Sequence, residues 1–269
     1  MSLSAPPPTC ARPSPERVKG RPKPVSWALS PFAYGGLRVA ASSRCRVLAG
    51  PFAGMRYPAS FVPRLLFGGP YQVGSFELEL HPVVERLAAE APETVVNVGS
   101  AEGYYAVGLA MRIPAAEVVG FELDPRLRAA AAGLAKLNGV AERVELRGLC
   151  TVEALAAAAP PAGGGGSAVI MDCEGAESEF ADPERVTWLR EASILVELHP
   201  AIDAGIAERL RGRFSDSHEI ELIESEVRRA SLFDAQLRPI RGLRRIDREL
   251  LVAEFRDGPQ DWLWATPRR

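Results

Sequence analysis

The sequence predicts an α/β fold: a doubly wound, mostly parallel sheet of seven strands with a small N-terminal extension. Short β-branched or apolar runs alternate with helical patterns from residue 94 to residue 224, the order that crossover connections between parallel strands require. The first of these runs, Thr94 to Val98 (TVVNV), is nearly continuous in apolar residues, as a strand covered on both faces is. Glu122, Asp172, Glu197 and His199 all fall at the carboxyl ends of expected strands, where open α/β sheets bind ligands.

Taken in order, residues 1–27 are a Pro-, Ser- and Arg/Lys-rich tail with too little apolar surface to pack, and are expected to be disordered. Residues 28–91 form the extension. Within it, 44–58 (RCRVLAGPFAGMRYP) suggests a hairpin around Gly50-Pro51. A turn-rich connector at 63–75 offers Leu65, Leu66, Phe67 and Tyr71 to the main body, and 76–89 is an amphipathic helix with Leu80, Val84 and Leu87 on one side. His81, beside Pro82, reads as a solvated or capping residue.

Residues 92–269 form the ligand-binding domain. Its further strands are expected at 118–121, 143–148, 167–172, 192–199, 218–224 and 262–266. Helices are expected at 104–112, at 125–137 behind an Asp124 cap, at 151–159 behind Thr151, and at 183–190, 203–214 and 247–255. Residues 225–246 read as irregular, and the basic run 238–249 as a solvated surface.

Composition narrows the function. The 269 residues carry Lys+Arg 32 against Asp+Glu 34, and with a pI near 6.0 there is no electrostatic footprint for nucleic acid. Neither an apolar run of membrane-spanning length nor a secretory signal is evident, so no membrane partner is expected. The four cysteines form no C-x-x-C pair, which argues against zinc and a disulfide framework and points to reduced thiols in a cytoplasm. Homo-oligomerisation is left open.

The stretch from Thr94 to Asp124 carries the most chemistry. A strand runs into Gly99-Ser100-Ala101-Glu102-Gly103, a helix follows, and a second strand ends on Glu122, 19 residues after Gly103. Glycines let the backbone turn sharply and a ligand approach; a strand-end carboxylate can accept hydrogen bonds from both ribose hydroxyls. A dinucleotide site wants G-x-G-x-x-G, whereas this spacing is Gly99-x-x-x-Gly103 with Glu102 set against any phosphate. The pattern resembles the first motif of class I S-adenosylmethionine (SAM) methyltransferases, which are Rossmann-like in fold. On that resemblance Asn97, Gly99, Ser100, Glu102, Gly103, Glu122, Leu123, Leu149 and Asp172 contact the cofactor. Two departures stand out. Asn97 occupies the place of an acid that orients the methionine ammonium, and Arg147-Gly148-Leu149-Cys150 lacks an Asp for the adenine amino group.

MDCEGAE (171–177), followed about twenty-five residues later by ILVELHP (194–200), resembles the FkbM-type branch of these enzymes, over roughly residues 46–266. The resemblance implies O-methylation of a small hydroxylated acceptor of natural-product or sugar type, in some members with a divalent metal. MDCEG has neither the prolines nor the aromatic of enzymes that methylate exocyclic base amines, and Cys173 reads as a packed thiol, not a nucleophile.

Asp172, Glu197 and His199 are therefore the expected catalytic edge. Two carboxylates brought together there would repel, so either one serves as a base with a raised pKa or a cation such as Mg²⁺ bridges Asp172 and Glu197. His199 is the candidate proton acceptor, and His218 the next one. Two rival readings stay open: a SAM-fold binding protein without catalysis, which Asn97 favours, and an NAD(P)-dependent oxidoreductase, which the missing third glycine disfavours.

Overall fold

A computed structural model of the chain describes residues 31–58, 68–161, 166–254 and 260–268. The tail 1–27 and Leu65, Leu66 and Phe67 lie outside these. All seven expected strands form: β1 Thr94–Val98, β2 Glu117–Phe121, β3 Val144–Arg147, β4 Ser167–Met171, β5 Ala192–Glu197, β6 His218–Ile223 and β7 Trp262–Pro267. They make one sheet in the order β3-β2-β1-β4-β5-β7-β6. The first five run parallel, and β7 enters antiparallel between β5 and β6. The chain starts at the centre with β1, winds out to β3, then returns to place β4 on the other side of β1. The switch point, and the crevice it opens, lies at the carboxyl ends of β1 and β4.

Ten helices occur among the described residues: α1 Pro31–Ser43, α2 Gly69–Val73, α3 His81–Glu90, α4 Tyr104–Arg112, α5 Pro125–Leu137, α6 Val152–Ala156, α7 Glu177–Phe180, α8 Ile206–Phe214, α9 Asp234–Leu237 and α10 Arg245–Val252. The period-2 alternation of β1 distributes them. Val95 belongs to one core, with Leu87 of α3, Leu109 of α4 and Leu134 of α5; Val96 and Val98 belong to the core on the other face, which also takes in Leu155 of α6 and Leu210 and Phe214 of α8. Each face is thus closed by its own set of helices, which is why every residue of β1 is buried. Val47, Phe52, Met55 and Tyr57 from the N-terminal segment join the first of these cores directly. A third core seats Val39 of α1 on Leu251 and Val252 of α10.

Several boundaries differ from expectation. The helix expected over 76–89 starts at His81, because Pro82 favours the first helical turn and Leu78–Leu80 forms a single 3₁₀ turn before it. No α-helix spans 183–190: α7 ends at Phe180, and a 3₁₀ turn at Thr187–Glu191 leads into β5. The hairpin at 44–58 shrinks to one antiparallel bridge, Arg46 with Arg56, flanked by the Val47–Met55 and Tyr57–Cys45 backbone bonds. Residues 225–246 are more ordered than their composition suggests. A 3₁₀ turn at Ala230–Phe233 runs into α9, and Leu237, Ile240 and Leu243 are buried between exposed arginines. α1 was not foreseen. No helix among the described residues is long and apolar enough to cross a membrane.

Candidate functional site: the crevice at the ends of β1, β2, β4 and β5

The glycine loop is shaped first by the chain's own crowding. Gly99 has φ +80°, and a Cβ there would stand 1.6 Å from the carbonyl oxygen of Asp172 at the end of β4. Gly103, at φ +92°, starts α4 where a Cβ would press on Ala131 of α5 and Val107. Both glycines are thus required by left-handed backbone and close packing, without appeal to a ligand. Ala101 also has positive φ, +44°, so the turn between them is strained.

Glu122 ties this turn to the sheet. Its Oε2 accepts from the Ala101 N–H at 2.9 Å and its Oε1 from the Asp124 N–H at 2.7 Å, and the residue is buried. Asp124 in turn caps α5 by accepting from the Arg126 N–H. Beside Glu122 a cavity of about 210 Å³ opens, lined by Gly99 and Ala101, by Leu123, by Gly148, Leu149 and Cys150 after β3, and by Asp172, Cys173 and Glu174 after β4. Leu123 and Leu149 are 58% and 61% exposed, so two large apolar side chains flank its mouth. Burial pushes the Cys150 thiol up to about 12 and that of Cys173 higher still. Cys173 is accordingly a neutral thiol, as the sequence reading held.

The second half of the site is an imidazole among carboxylates. His199, just past β5, is 9% exposed, and its Nδ1 lies 3.1 Å from Oε1 of Glu177. The pair fails strict hydrogen-bond geometry and stands as a close contact between imidazole and carboxylate. Glu177 is fully buried and fixed by the backbone of its own turn: Oε1 accepts from the Cys173 and Gly175 N–H groups, and Oε2 from Gly175. The other ring nitrogen, Nε2, faces Glu197 Oε2 at 3.7 Å, Asp172 Oδ1 at 3.9 Å and Glu174 Oε2 at 4.0 Å. Burial works to raise the Glu177 carboxyl, but His199 and the backbone donors outweigh it and hold it below the ordinary range. Burial likewise works to lower His199, and the surrounding carboxylates, Glu177 foremost, reverse this and raise its pKa.

The crevice therefore brings together Gly99, Glu122, Leu123, Leu149 and Asp172 around the cavity, with Glu197 and His199 next to Asp172. Asn97, Ser100 and Glu102 stand apart. Asn97 is buried within the sheet, its Nδ2 3.5 Å from the Ile170 carbonyl and its Oδ1 without a partner. Ser100 packs under the loop, within reach of Gly120. Glu102 faces a separate cavity of about 670 Å³, with Tyr57, Arg126 and Lys136 along α5. His218 is not a reserve base. It opens β6, with Nε2 2.9 Å from the carbonyl of Ala192 at the start of β5, the end of the sheet away from the crevice. His81 is half-buried and makes no side-chain cap: its ring is packed beside Gly50, and burial lowers its pKa.

Glu177 is the residue that sequence reasoning passed over. The signal was present as the last acid of Asp172-x-Glu-Gly-x-Glu, five residues beyond Asp172.

No protein-family model matches the chain, and no curated protein matches it. Solved structures do. The chain is similar to an O-methyltransferase from Bacillus cereus in complex with S-adenosylhomocysteine (SAH), at 12% identity over 89% of this chain and 91% of that one, with a TM-score of 0.46. It is similar to the O-methyltransferase TomG of Streptomyces achromogenes, involved in tomaymycin synthesis and solved with SAM, at 13% identity over 91% and 95% of the two chains and a TM-score of 0.47. It is also similar to cofactor-bound Rv0187 from MTB, at 16% identity over 93% and 100% and a TM-score of 0.46.

Proposed function

We propose that this chain is a SAM-dependent methyltransferase acting on a hydroxyl oxygen of a small molecule, with residues 92–269 as the cofactor-binding unit and 28–91 as its extension. Glu122 carries the reading: a buried carboxylate at the tip of β2, bonded across the glycine turn and lining the cavity beside it. Each of its oxygens keeps a lone pair beyond the one given to Ala101 or Asp124, enough to receive the two O–H groups of a ribose. Leu123 and Leu149 offer apolar flanks to an adenine, and Asp172 leads from the cavity to His199. A cationic sulfonium suits the carboxylate excess there. The segment 172–177, whose last acid holds His199, supports the FkbM-type branch within these enzymes, and free thiols at Cys45, Cys150 and Cys173 accord with a cytoplasmic location.

In the proposed reaction the acceptor oxygen attacks the methyl carbon in line. The O–C bond forms as the S–C bond breaks, sulfur keeps the electron pair as the thioether of SAH, and the hydroxyl proton passes to the Asp172–Glu197–His199 cluster or to water. Most of the acceleration comes from holding the oxygen on the sulfonium axis, and the rest from easing removal of its proton.

Isothermal titration of the purified chain with SAM, SAH and NADH tests the reading. Binding of SAM and SAH but not NADH is expected; NADH binding without SAH binding would overturn it. A second reading, a SAM-binding protein without catalysis, is favoured by Asn97, which brings no carboxylate toward an ammonium. Transfer of labelled methyl to hydroxylated acceptors separates the two.

A further inference from the structure

We infer that Arg128 is a positioning residue for the nucleoside: its guanidinium holds the tip of β2 in the shape that lets Glu122 receive a ribose. The inference rests on the proposed SAM site and adds to it a side chain that does not itself line the cavity.

Three successive carbonyls at the tip of β2 are committed. That of Phe121 accepts from the Gly99 and Ser100 N–H groups, both at 2.9 Å, which ties β2 to the glycine turn after β1. The next two share one side-chain donor. Nη1 of Arg128 donates to the Glu122 carbonyl at 2.7 Å and, more weakly, to that of Leu123 at 3.4 Å. The Glu122 N–H still bonds the Arg147 carbonyl at 3.1 Å, but β3 ends there, and Arg128 takes the carbonyl that a longer strand would have bonded. Gly148 follows, and a Cβ added to it would meet Nη1 of Arg128 at 4.0 Å. The guanidinium therefore stands between the loop after β2, which carries Leu123, and the loop after β3, which carries Leu149.

The place of Arg128 on its helix is a second, independent observation. It lies at the amino-terminal end of α5, where the helix dipole disfavours a cation, and no acidic side chain lies in that first turn beyond the Asp124 cap. A residue that breaks a local rule beside a site points to a use there.

The consequence falls on Glu122. Its Oε1 accepts from the Asp124 N–H at 2.7 Å, so the direction of the carboxylate follows the peptide planes of Leu123 and Asp124. Two neighbouring carbonyl oxygens aimed at one point repel unless a cation sits between them. Arginine supplies that cation at every working pH, on a planar fork. Without it water would take both carbonyls, the tip could turn, and the free lone pairs of Glu122 would no longer be held toward one ribose.

Calorimetry on the full chain, with SAH and with an SAH analogue lacking both ribose hydroxyls, tests this. Arg128→Met should weaken SAH by about tenfold, whereas the analogue should bind parent and variant alike. Arg128→Lys, which restores one donor, should regain part of the loss. In a Glu122→Gln background Arg128→Met should cost less than about threefold, because the acid through which it acts is already impaired. Parent-like SAH affinity in Arg128→Met overturns the inference and leaves the methyltransferase reading standing. So does an equal loss for SAH and the analogue, the mark of a loop that has come apart. If the double variant fails to fold, the analogue decides; if the analogue binds too weakly to measure, the double variant does. A parent chain that ignores SAH removes the inference together with the reading beneath it.

Discussion

Glu122→Ala should do two things that can be measured apart. In the free protein the Glu122 carboxylate accepts from Ala101 at 2.9 Å and from Asp124 at 2.7 Å, and so pins a turn in which Ala101 sits at positive φ. A hydrogen bond to a charged group contributes about 1.5–3 kcal/mol. Water from the adjoining cavity can reach the freed N–H groups, so the loss should fall near the lower bound for each, about 2–4 kcal/mol in all. Urea unfolding followed by circular dichroism would report this as a lower midpoint at unchanged slope. The second effect is on the ligand: removing the ribose acceptor should weaken SAH by about 1–3 kcal/mol, roughly five- to 150-fold, read by calorimetry on the folded variant. Glu122→Gln keeps one acceptor oxygen and should fall between parent and Ala on both scales. A parent-like urea midpoint would refute the claim that Glu122 holds the glycine turn. An unchanged SAH affinity would refute its assignment to the ribose.

Three further outcomes follow from the packing. Gly99→Ala places a Cβ 1.6 Å from the Asp172 carbonyl at φ +80°, so β1 and β4 must part; a loss of more than about 3 kcal/mol is expected in urea unfolding, together with loss of SAH binding. Arg228 is buried between Glu79 and Glu254, so Arg228→Met should destabilise by about 3–5 kcal/mol, and a parent-like melting temperature would show those carboxylates to be compensated otherwise. His218 is held neutral, its pKa lowered by burial above all, so the unfolded chain binds the extra proton first; its share of stability is full above about pH 6.5 and declines as pH falls from there toward the folded value. Urea midpoints at pH 7.5 and 5.5 should therefore differ less in His218→Gln than in the parent.

The strands were legible because they obey one rule. β1 and β4 are buried on both faces, so their residues are chosen for a dry environment, and the runs TVVNV and SAVIM show it without reference to partners. The carboxyl-end placement of Glu122, Asp172 and Glu197 was legible for the same reason, since strand ends fix where side chains emerge. Glu102 was not: one residue before Gly103, its direction depends on how the strained turn enters α4, and it points toward α5. Glu177 was hidden by backbone conformation. Glu174 at φ +60° and Gly175 at φ +109° fold the chain back on itself, returning the fifth residue after Asp172 to the ring of His199. Periodicity assumes a regular path and carries no trace of such a reversal. The arginines of 238–249 concealed Ile240 and Leu243 in the same way, because a short irregular segment can bury alternate residues without a helical or strand period.

The turn from Asp172 to Glu177 joins the two halves of the crevice mechanically. At one end the Asp172 carbonyl sits against the space where Gly99 lacks a side chain, and Cys173 and Glu174 wall the cavity. At the other end Glu177 draws in the Cys173 and Gly175 N–H groups and faces the imidazole of His199. A cofactor that pushes on the cavity wall therefore pushes on a segment that reverses through two residues of positive φ, Glu174 and Gly175. Packed elements of this kind shift as units and do not deform gradually, so filling the cavity should be felt at His199. The sign is set by charge. A sulfonium beside Asp172 disfavours a protonated His199 drawn to the same carboxylate, whereas SAH, which lacks that charge, does not. The His199 pKa followed by NMR should therefore be lower with SAM bound than with SAH bound, and the preference for SAH over SAM should grow as His199 is protonated. Equal His199 pKa values with the two nucleosides would mean that the sulfonium does not lie beside Asp172.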